Sequence, residues 1–280
     1  MKLAVRHETR FSYAALVTHG LSEARVLPRD TPTQVVLSAE VTVEPRPDDR
    51  SEYLDFFGNR VVHLAVARPH TALTVTATAE VDVVPAGPAA AADEPWDDIG
   101  RRRPDLVQYV VGSPLVSADG AVAAYARESF PPGRPLREAV SDLTDRIHRD
   151  FVYRPGATTV LTPVSEVMAR RRGVCQDFAH LEIACLRSLG LPARYVSGHI
   201  EAGGDGGDGL VGAGASHAWC AVALPDGSWL DLDPTNRSVA PPAHVTVGWG
   251  RDYSDVAPLK GVVFTEGSHR LSVTVTVTRT

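Results

Sequence analysis

Three residues in separate segments have the types and the order needed for acyl transfer. Cys175 lies in Arg171-Arg-Gly-Val-Cys-Gln-Asp-Phe-Ala-His180, His217 in Ser216-His-Ala-Trp219, and Asp233 in Leu230-Asp-Leu-Asp-Pro-Thr-Asn236. A thiol nucleophile, an imidazole base and a carboxylate that orients the imidazole make a Cys-His-Asp site.

The thiol needs an environment that favours its charged form. Cys175 is expected in the first turn of a helix, where unpaired N–H groups and the positive end of the helix dipole stabilise a thiolate. A thiol placed there is expected to be more acidic than the roughly 8.5 of free cysteine. Arg170, Arg171 and Arg172 could add positive potential, although such a run more commonly forms a solvated helix end. Asp177 acts in the opposite sense, because a carboxylate in the same turn opposes a second negative charge. Activation therefore falls to His217.

Strand parity decides whether Asp233 can orient that histidine. His217, Trp219, Ala221 and Ala223 share one face of a strand, and Trp229, Asp231 and Asp233 share one face of the next. A two-residue turn at Asp226-Gly227 sends Asp233 to the wrong face. A three-residue turn, Pro225-Asp226-Gly227, sets Trp219 opposite Asp233 and makes Asp233 the diagonal neighbour of His217. Pro then Asp suits a type I turn, and Gly227 suits the left-handed position after it, so the second register is expected.

Other reactive residues have structural readings. Cys185 lies roughly 15 Å further along the same helix and faces elsewhere, and Cys220 has the opposite strand parity to His217; both are expected in the core. His180 is expected to be a structural hydrogen bonder. A zinc site built from these cysteines and histidines lacks any Cys-x-x-Cys pair, and the faces diverge, so no metal or cofactor is expected. Tyr153, and Gln176 beside the thiol, are candidates for an oxyanion donor or groove residue. Trp219 is a candidate groove wall, with packing around the site as its alternative. The glycine-rich run from Gly203 to Gly209 lacks a phosphate-loop Lys-Ser or Lys-Thr and reads as a flexible loop beside the site, with a possible gating role.

The elements that carry these residues follow from periodicity. Residues 1–84 are strand-like, clearest where Leu73, Val75, Ala77, Ala79, Val81 and Val83 alternate with polar neighbours. Residues 85–113 are expected to be a linker, proline-rich at its start, and residues 114–280 to form the catalytic domain, ending in a strand. Within it, Leu136 to Phe151 repeats at helical spacing. A second helix is expected after an N-cap at Thr162, stopped by Gly173, and a third from Cys175 to Leu189, closed by Gly190 and Pro192. Strands are expected at 193–200, 217–224 and 229–233.

Composition bounds the function. The 280 residues are 44% hydrophobic and 22% charged with net charge −6, the profile of a globular chain with no basic footprint for nucleic acid. No apolar run is long enough to span a membrane. The early charges at the N-terminus and the odd number of cysteines lead to the expectation of a cytoplasmic protein with reduced thiols.

The motifs around Cys175, His217 and Asp233, together with Arg187-Ser-Leu-Gly-Leu-Pro-Ala-Arg-Tyr-Val-Ser-Gly-His199, resemble the bacterial transglutaminase-like family, whose members include candidate cysteine proteases. Arg25-Val-Leu-Pro-Arg29, Phe57-Gly-Asn-Arg60 and Gly250-Arg-Asp-Tyr-Ser-Asp-Val-Ala-Pro-Leu-Lys-Gly261 extend the likeness over nearly the whole chain. The resemblance implies an α+β protein, with a β-rich N-terminal domain and a papain-like α/β catalytic domain containing an antiparallel sheet. It implies Cys175 as nucleophile, His217 as general base and acid, and Asp233 rather than Asp231 as orienter. In papain-like enzymes a glutamine shortly before the nucleophile serves the oxyanion hole, and Met168 to Val174 contains none. The expected activity is peptidase or amidase hydrolysis of a peptide or protein amide through a thioester. Transglutamination and a non-catalytic peptide-binding module are the alternatives. No calcium-loop motif is present.

Overall fold

The computed structural model describes residues 1–84, 87, 89–99, 104–201, 210–212, 214–239 and 244–280. The chain opens with six strands, β1 (Lys2–Val17), β2 (His19–Ala24), β3 (Gln34–Glu44), β4 (Asp49–Leu54), β5 (Arg60–Val66) and β6 (His70–Val83). The β1–β6 ladder alternates as its sequence does: Leu73, Val75, Ala77, Ala79, Val81 and Val83 are buried, and their even-numbered neighbours are mostly more exposed. That alternation is the signature of a sheet with one apolar face.

The second half contains α1 (Gly120–Ser129), α2 (Leu136–Asp150), β7 (Val152–Tyr153), α3 (Val164–Arg170), β8 (Arg172–Gly173), α4 (Cys175–Ser188), β9 (Ala193–Ile200), β10 (His217–Ala223), β11 (Trp229–Asp233), β12 (Ser238–Val239), β13 (His244–Gly250) and α5 (Tyr253–Val256). A five-stranded antiparallel sheet in the order β12-β11-β10-β9-β13 lies against α4. The helices and one face of this sheet enclose the largest core, which includes Leu143, Ile147, Phe178, Leu181, Cys185, Cys220 and Leu232.

The chain finishes with β14 (Leu259–Phe264) and β15 (His269–Arg279). Neither strand joins the five-stranded sheet, although the division at residue 114 placed both with it. β14 pairs with β2 in the sheet β14-β2-β5-β4, and β15 pairs with β1 in the sheet β15-β1-β6-β3. Strand periodicity states which residues face inward and is silent about which edge a strand joins, so the final 22 residues (259–280) were misassigned. The expected spacer also packs: Ala92 and Ile99 are fully buried in the core between the helices and the five-stranded sheet, and Leu106 and Tyr109 close over Ala223.

Helix boundaries show smaller corrections. Pro163, not Thr162, occupies the N-cap position of α3, while the Thr162 hydroxyl accepts the Thr159 N–H at 2.9 Å. The helix stops at Arg171, which adopts a left-handed conformation with φ 53°. Gly173 serves a different purpose, because a Cβ there would lie 2.6 Å from Asp177 Oδ2. Periodicity gives no sign of α1, an alanine-rich helix capped by Asp119, whose carboxylate accepts the N–H groups of Ala121 and Val122 at 2.9 Å.

Candidate active site

The β10–β11 turn has the three-residue form. Leu224 N–H donates to Ser228 O at 2.9 Å, Gly227 N–H donates to Leu224 O at 3.1 Å, and Gly227 has φ 93°. The ladder pairs Ala223 with Trp229 and Cys220 with Leu232. Continued by one residue, this register sets Trp219 across from Asp233, and His217 Nε2 meets Asp233 Oδ2 at 2.8 Å. Both side chains are fully shielded from solvent.

Asp233 is held from several sides. Its Oδ1 accepts the backbone N–H groups of Thr235 at 3.0 Å and Asn236 at 3.2 Å. Its Oδ2 also accepts Asn236 Nδ2 at 2.8 Å and His244 Nε2 at 2.9 Å. Burial by itself would raise the carboxyl's pKa; the histidine hydrogen bonds and charges outweigh it and hold the group well below the usual carboxylate range. Asp233 is therefore an ionised acceptor, and each imidazole presents an N–H to it.

Burial by itself would lower the His217 pKa, but hydrogen bonding to Asp233 and Cys175, with their charges, pushes it up to about 10. With Nε2 committed to Asp233, Nδ1 is the nitrogen left for Cys175. The thiol bears on the ring, although no contact at Nδ1 meets strict hydrogen-bond geometry. Gly212 closes over the same nitrogen, and a Cβ there would lie 2.7 Å from Nδ1.

Cys175 occupies the first position of α4 and is half-buried. Asp177 caps this helix from inside its first turn, its Oδ2 accepting Val174 N–H at 2.7 Å and the Thr158 hydroxyl at 2.6 Å. Burial raises its pKa, and those two donors partly offset the rise. Two of the preceding arginines turn elsewhere: Arg170 pairs with Glu166 at 3.0 Å, and the Arg171 guanidinium lies 4.7 Å from the centre of the Phe151 ring.

The other candidates separate on this geometry. Tyr153 sits on β7, one strand beyond the long helix. Its pKa is raised by burial and by the Cys175 charge, and its ring meets Phe178 edge-on at 6.3 Å. Gln176 Nε2 donates to Val160 O at 3.0 Å, tying a neighbouring loop to the start of α4. Trp219 is fully buried, stacked near His217 at 6.1 Å and edge-on to His244 at 4.9 Å. It supports the histidines from behind and cannot line a groove. Cys185 and Cys220 are fully buried, and His180 Nε2 accepts Tyr253 N–H at 3.1 Å. The run Gly203–Gly209 lies outside the described residues.

Asn236 and His244 were not recognised from sequence. Asn236 follows Asp233 closely enough for its cap to have been legible, whereas nothing local places His244. Among the described residues, His217, Asp233 and His244 also form a group whose ligand-type atoms lie within 4.8 Å of one another. Two direct hydrogen bonds account for that closeness. No described helix is long and apolar enough to cross a membrane.

Comparison with known proteins agrees with this architecture. Residues 3–82 match the bacterial transglutaminase-like N-terminal region, and residues 123–234 match the transglutaminase-like superfamily. An uncharacterized protein of Mycobacterium tuberculosis is 39% identical over 277 residues, covering 95% of this chain and 88% of that one. A protein-glutamine gamma-glutamyltransferase of Pseudomonas aeruginosa is 35% identical over 98 residues, 34% of this chain and 14% of its own. The crystal structure of a candidate cysteine protease from Cytophaga hutchinsonii superposes with a TM-score of 0.76 at 23% identity, covering 100% of this chain and 91% of that one. With a β-rich N-terminal unit, an antiparallel sheet against a cysteine-headed helix, and relatives matching along nearly its full length, the chain belongs to the transglutaminase-like superfamily.

Proposed function

We propose that this protein is a cysteine-nucleophile enzyme that breaks amide bonds by acyl transfer to water. The observation that carries the reading is the line of groups from Asp233 through His217 to Cys175. An ionised buried carboxylate fixes Nε2–H of the ring at 2.8 Å, and Nδ1 is left for the thiol at the head of α4.

The steps follow from those positions. Cys175 Sγ, its proton already resting on His217 Nδ1 because that ring's pKa is pushed up to about 10, bonds to the amide carbonyl carbon. The carbonyl oxygen takes up negative charge beside the Cys175 N–H, one of the helix's unpaired first-turn donors. The tetrahedral adduct collapses, the C–N bond breaks, and the departing nitrogen takes the proton from Nδ1, leaving a thioester. Water then attacks the thioester with His217 as base, releasing the acid and restoring the thiol. Asp233 keeps the ring in the required tautomer and stabilises its cation throughout. Tyr153 is the side chain proposed to help the Cys175 N–H with the oxyanion. The substrate is a peptide or protein amide.

A primary amine in place of water gives transglutamination, the reaction for which the Pseudomonas relative is named. One experiment separates the outcomes. Peptide mixtures are incubated with wild type and Cys175→Ala, with and without a primary amine, and read by mass spectrometry. Cleaved or deamidated products that require Cys175 support hydrolysis, and amine adducts support transfer. Products that form equally with Cys175→Ala, or no Cys175-dependent product, would refute the acyl-enzyme reading.

A further inference from the structure

The second histidine on Asp233 comes from β13, the edge strand of the catalytic sheet on the side facing the N-terminal unit. His244 is its first residue, and its Nε2 lies 2.9 Å from the same carboxylate oxygen that receives His217. The two side chains of this pair are 5% and 0% exposed. A carboxylate offers only acceptors, so His244 donates through Nε2.

Among the described residues, the outer edge of β13 carries no neighbouring strand. Two buried amides from the N-terminal unit take a strand's place. Gln34 Nε2 donates to Thr246 O at 2.8 Å, and Thr246 N–H donates to Gln34 Oε1 at 2.9 Å. Asn59 Nδ2 donates to Trp249 O at 2.8 Å, and Trp249 N–H donates to Asn59 Oδ1 at 2.9 Å. Each amide satisfies both the donor and the acceptor of one edge residue, as a ladder rung does. Arg29 stacks on the Trp249 ring at 3.4 Å from its centre. Gly248 between them has no side chain to interfere; a Cβ there would lie 2.8 Å from Asn59 Oδ1.

We propose that His244 is a positioning residue for the Cys175–His217–Asp233 group, and that the N-terminal unit sets it by gripping β13 through Gln34 and Asn59. The inference rests on the acyl-transfer reading and gives the N-terminal unit a part in the same site. One imidazole on Asp233 orients His217 only if the carboxylate cannot turn about its own axis. Thr235 N–H, Asn236 N–H and Asn236 Nδ2 already restrain it from its own chain segment, and the His244 N–H, arriving from another strand, adds a fourth restraint on Oδ2, the oxygen that receives His217. Among the described residues, three further ionisable groups face the cluster: Asp231 on β11, whose pKa is raised by burial with the Arg194 and His244 charges opposing the rise, and the two that follow. Glu182 from α4 is pushed up to about 8 by burial, and His199 from β9 is pushed down to about 3 by burial. All three groups are common to wild type and the variants, so a difference between their profiles reports the contact removed.

The test is the pH dependence of Cys175 alkylation by iodoacetamide in wild type, His244→Leu, His244→Gln and Gln34→Leu, with folding of each followed by circular dichroism. Leucine removes the N–H, and glutamine restores an N–H donor without the ring. The expected result at pH 6 is a rate about tenfold lower for His244→Leu, the scale of a lost charge-assisted hydrogen bond. His244→Gln returns within about threefold of wild type, and Gln34→Leu falls about threefold without touching the site. A His244→Leu profile that superimposes on wild type overturns the proposal, as does a glutamine variant no better than leucine. An unchanged Gln34→Leu profile overturns the part assigned to the N-terminal unit. A wild-type profile that follows free cysteine throughout sinks the acyl-transfer reading as well, which distinguishes the two failures.

Discussion

Glu182 is fully buried on α4, its Oε1 accepting the Thr144 hydroxyl at 2.7 Å and its Oε2 facing the Cys220 thiol at 3.5 Å. Burial, with the Asp233 charge adding to it, raises its pKa from 4.5 to about 8. Between those values the folded protein holds a proton that the unfolded chain has released, so stability falls as pH rises through this window. At about 1.4 kcal/mol per pKa unit, this one group removes about 3 kcal/mol of stability between pH 5 and pH 8. Glu182→Gln keeps the acceptor for Thr144 in nearly the same volume and cannot ionise. The variant is therefore expected to be more stable than wild type at pH 8, with the gain shrinking toward pH 5. Urea unfolding at several pH values measures this, and the difference between the two proteins cancels the contributions of other titrating groups, His217 included. A difference that stays constant from pH 5 to pH 8, or a variant less stable at pH 8, would refute the assignment of a neutral buried carboxyl. A confirmed effect means that α4 presents no second negative charge to Asp233.

Three further outcomes are expected. Iodoacetamide at neutral pH is expected to label one cysteine in the native protein and three after denaturation, because Cys185 and Cys220 are 0% exposed with pKa values raised by burial; peptide mapping should find the native label on Cys175. Gly198→Ala would drive a Cβ against Val245 O and the Trp219 ring, so it is expected to cost about 3 kcal/mol in urea unfolding and to slow Cys175 labelling by disturbing β13 and His217 together. Removal of residues 269–280 would strip β15 from β1 and expose the strand against which Val275 and Val277 are packed; burial of two valines alone is worth about 3–6 kcal/mol, so the truncated chain is expected to unfold at much lower urea and to aggregate through the freed edge.

The chemistry was legible wherever it depends on neighbours in the chain. Alternation along β10 and β11, joined to the turn preference of Pro225-Asp226-Gly227, placed Asp233 on the face of His217, because a hairpin's register is set by its turn. Gly190 and Pro192 marked the end of α4 for the same local reason. The spacer and the final strands were read differently because periodicity records a buried face but not its partner. Residues 259–264 and 269–279 close sheets begun more than 230 residues earlier, through β2 and β1.

By itself, then, the sequence determined the reactive groups, the helix that heads with Cys175 and the face shared by His217 and Asp233. Each is a matter of side-chain chemistry or of dihedral preferences acting within about a dozen residues. Only the tertiary structure brought the head of α4 against the His217 ring, set His244 on Asp233 and closed β13 with Gln34 and Asn59. Those contacts join segments up to 212 residues apart. They exist because sheets and helices bury their apolar faces against one another, and that packing selects which distant polar groups meet.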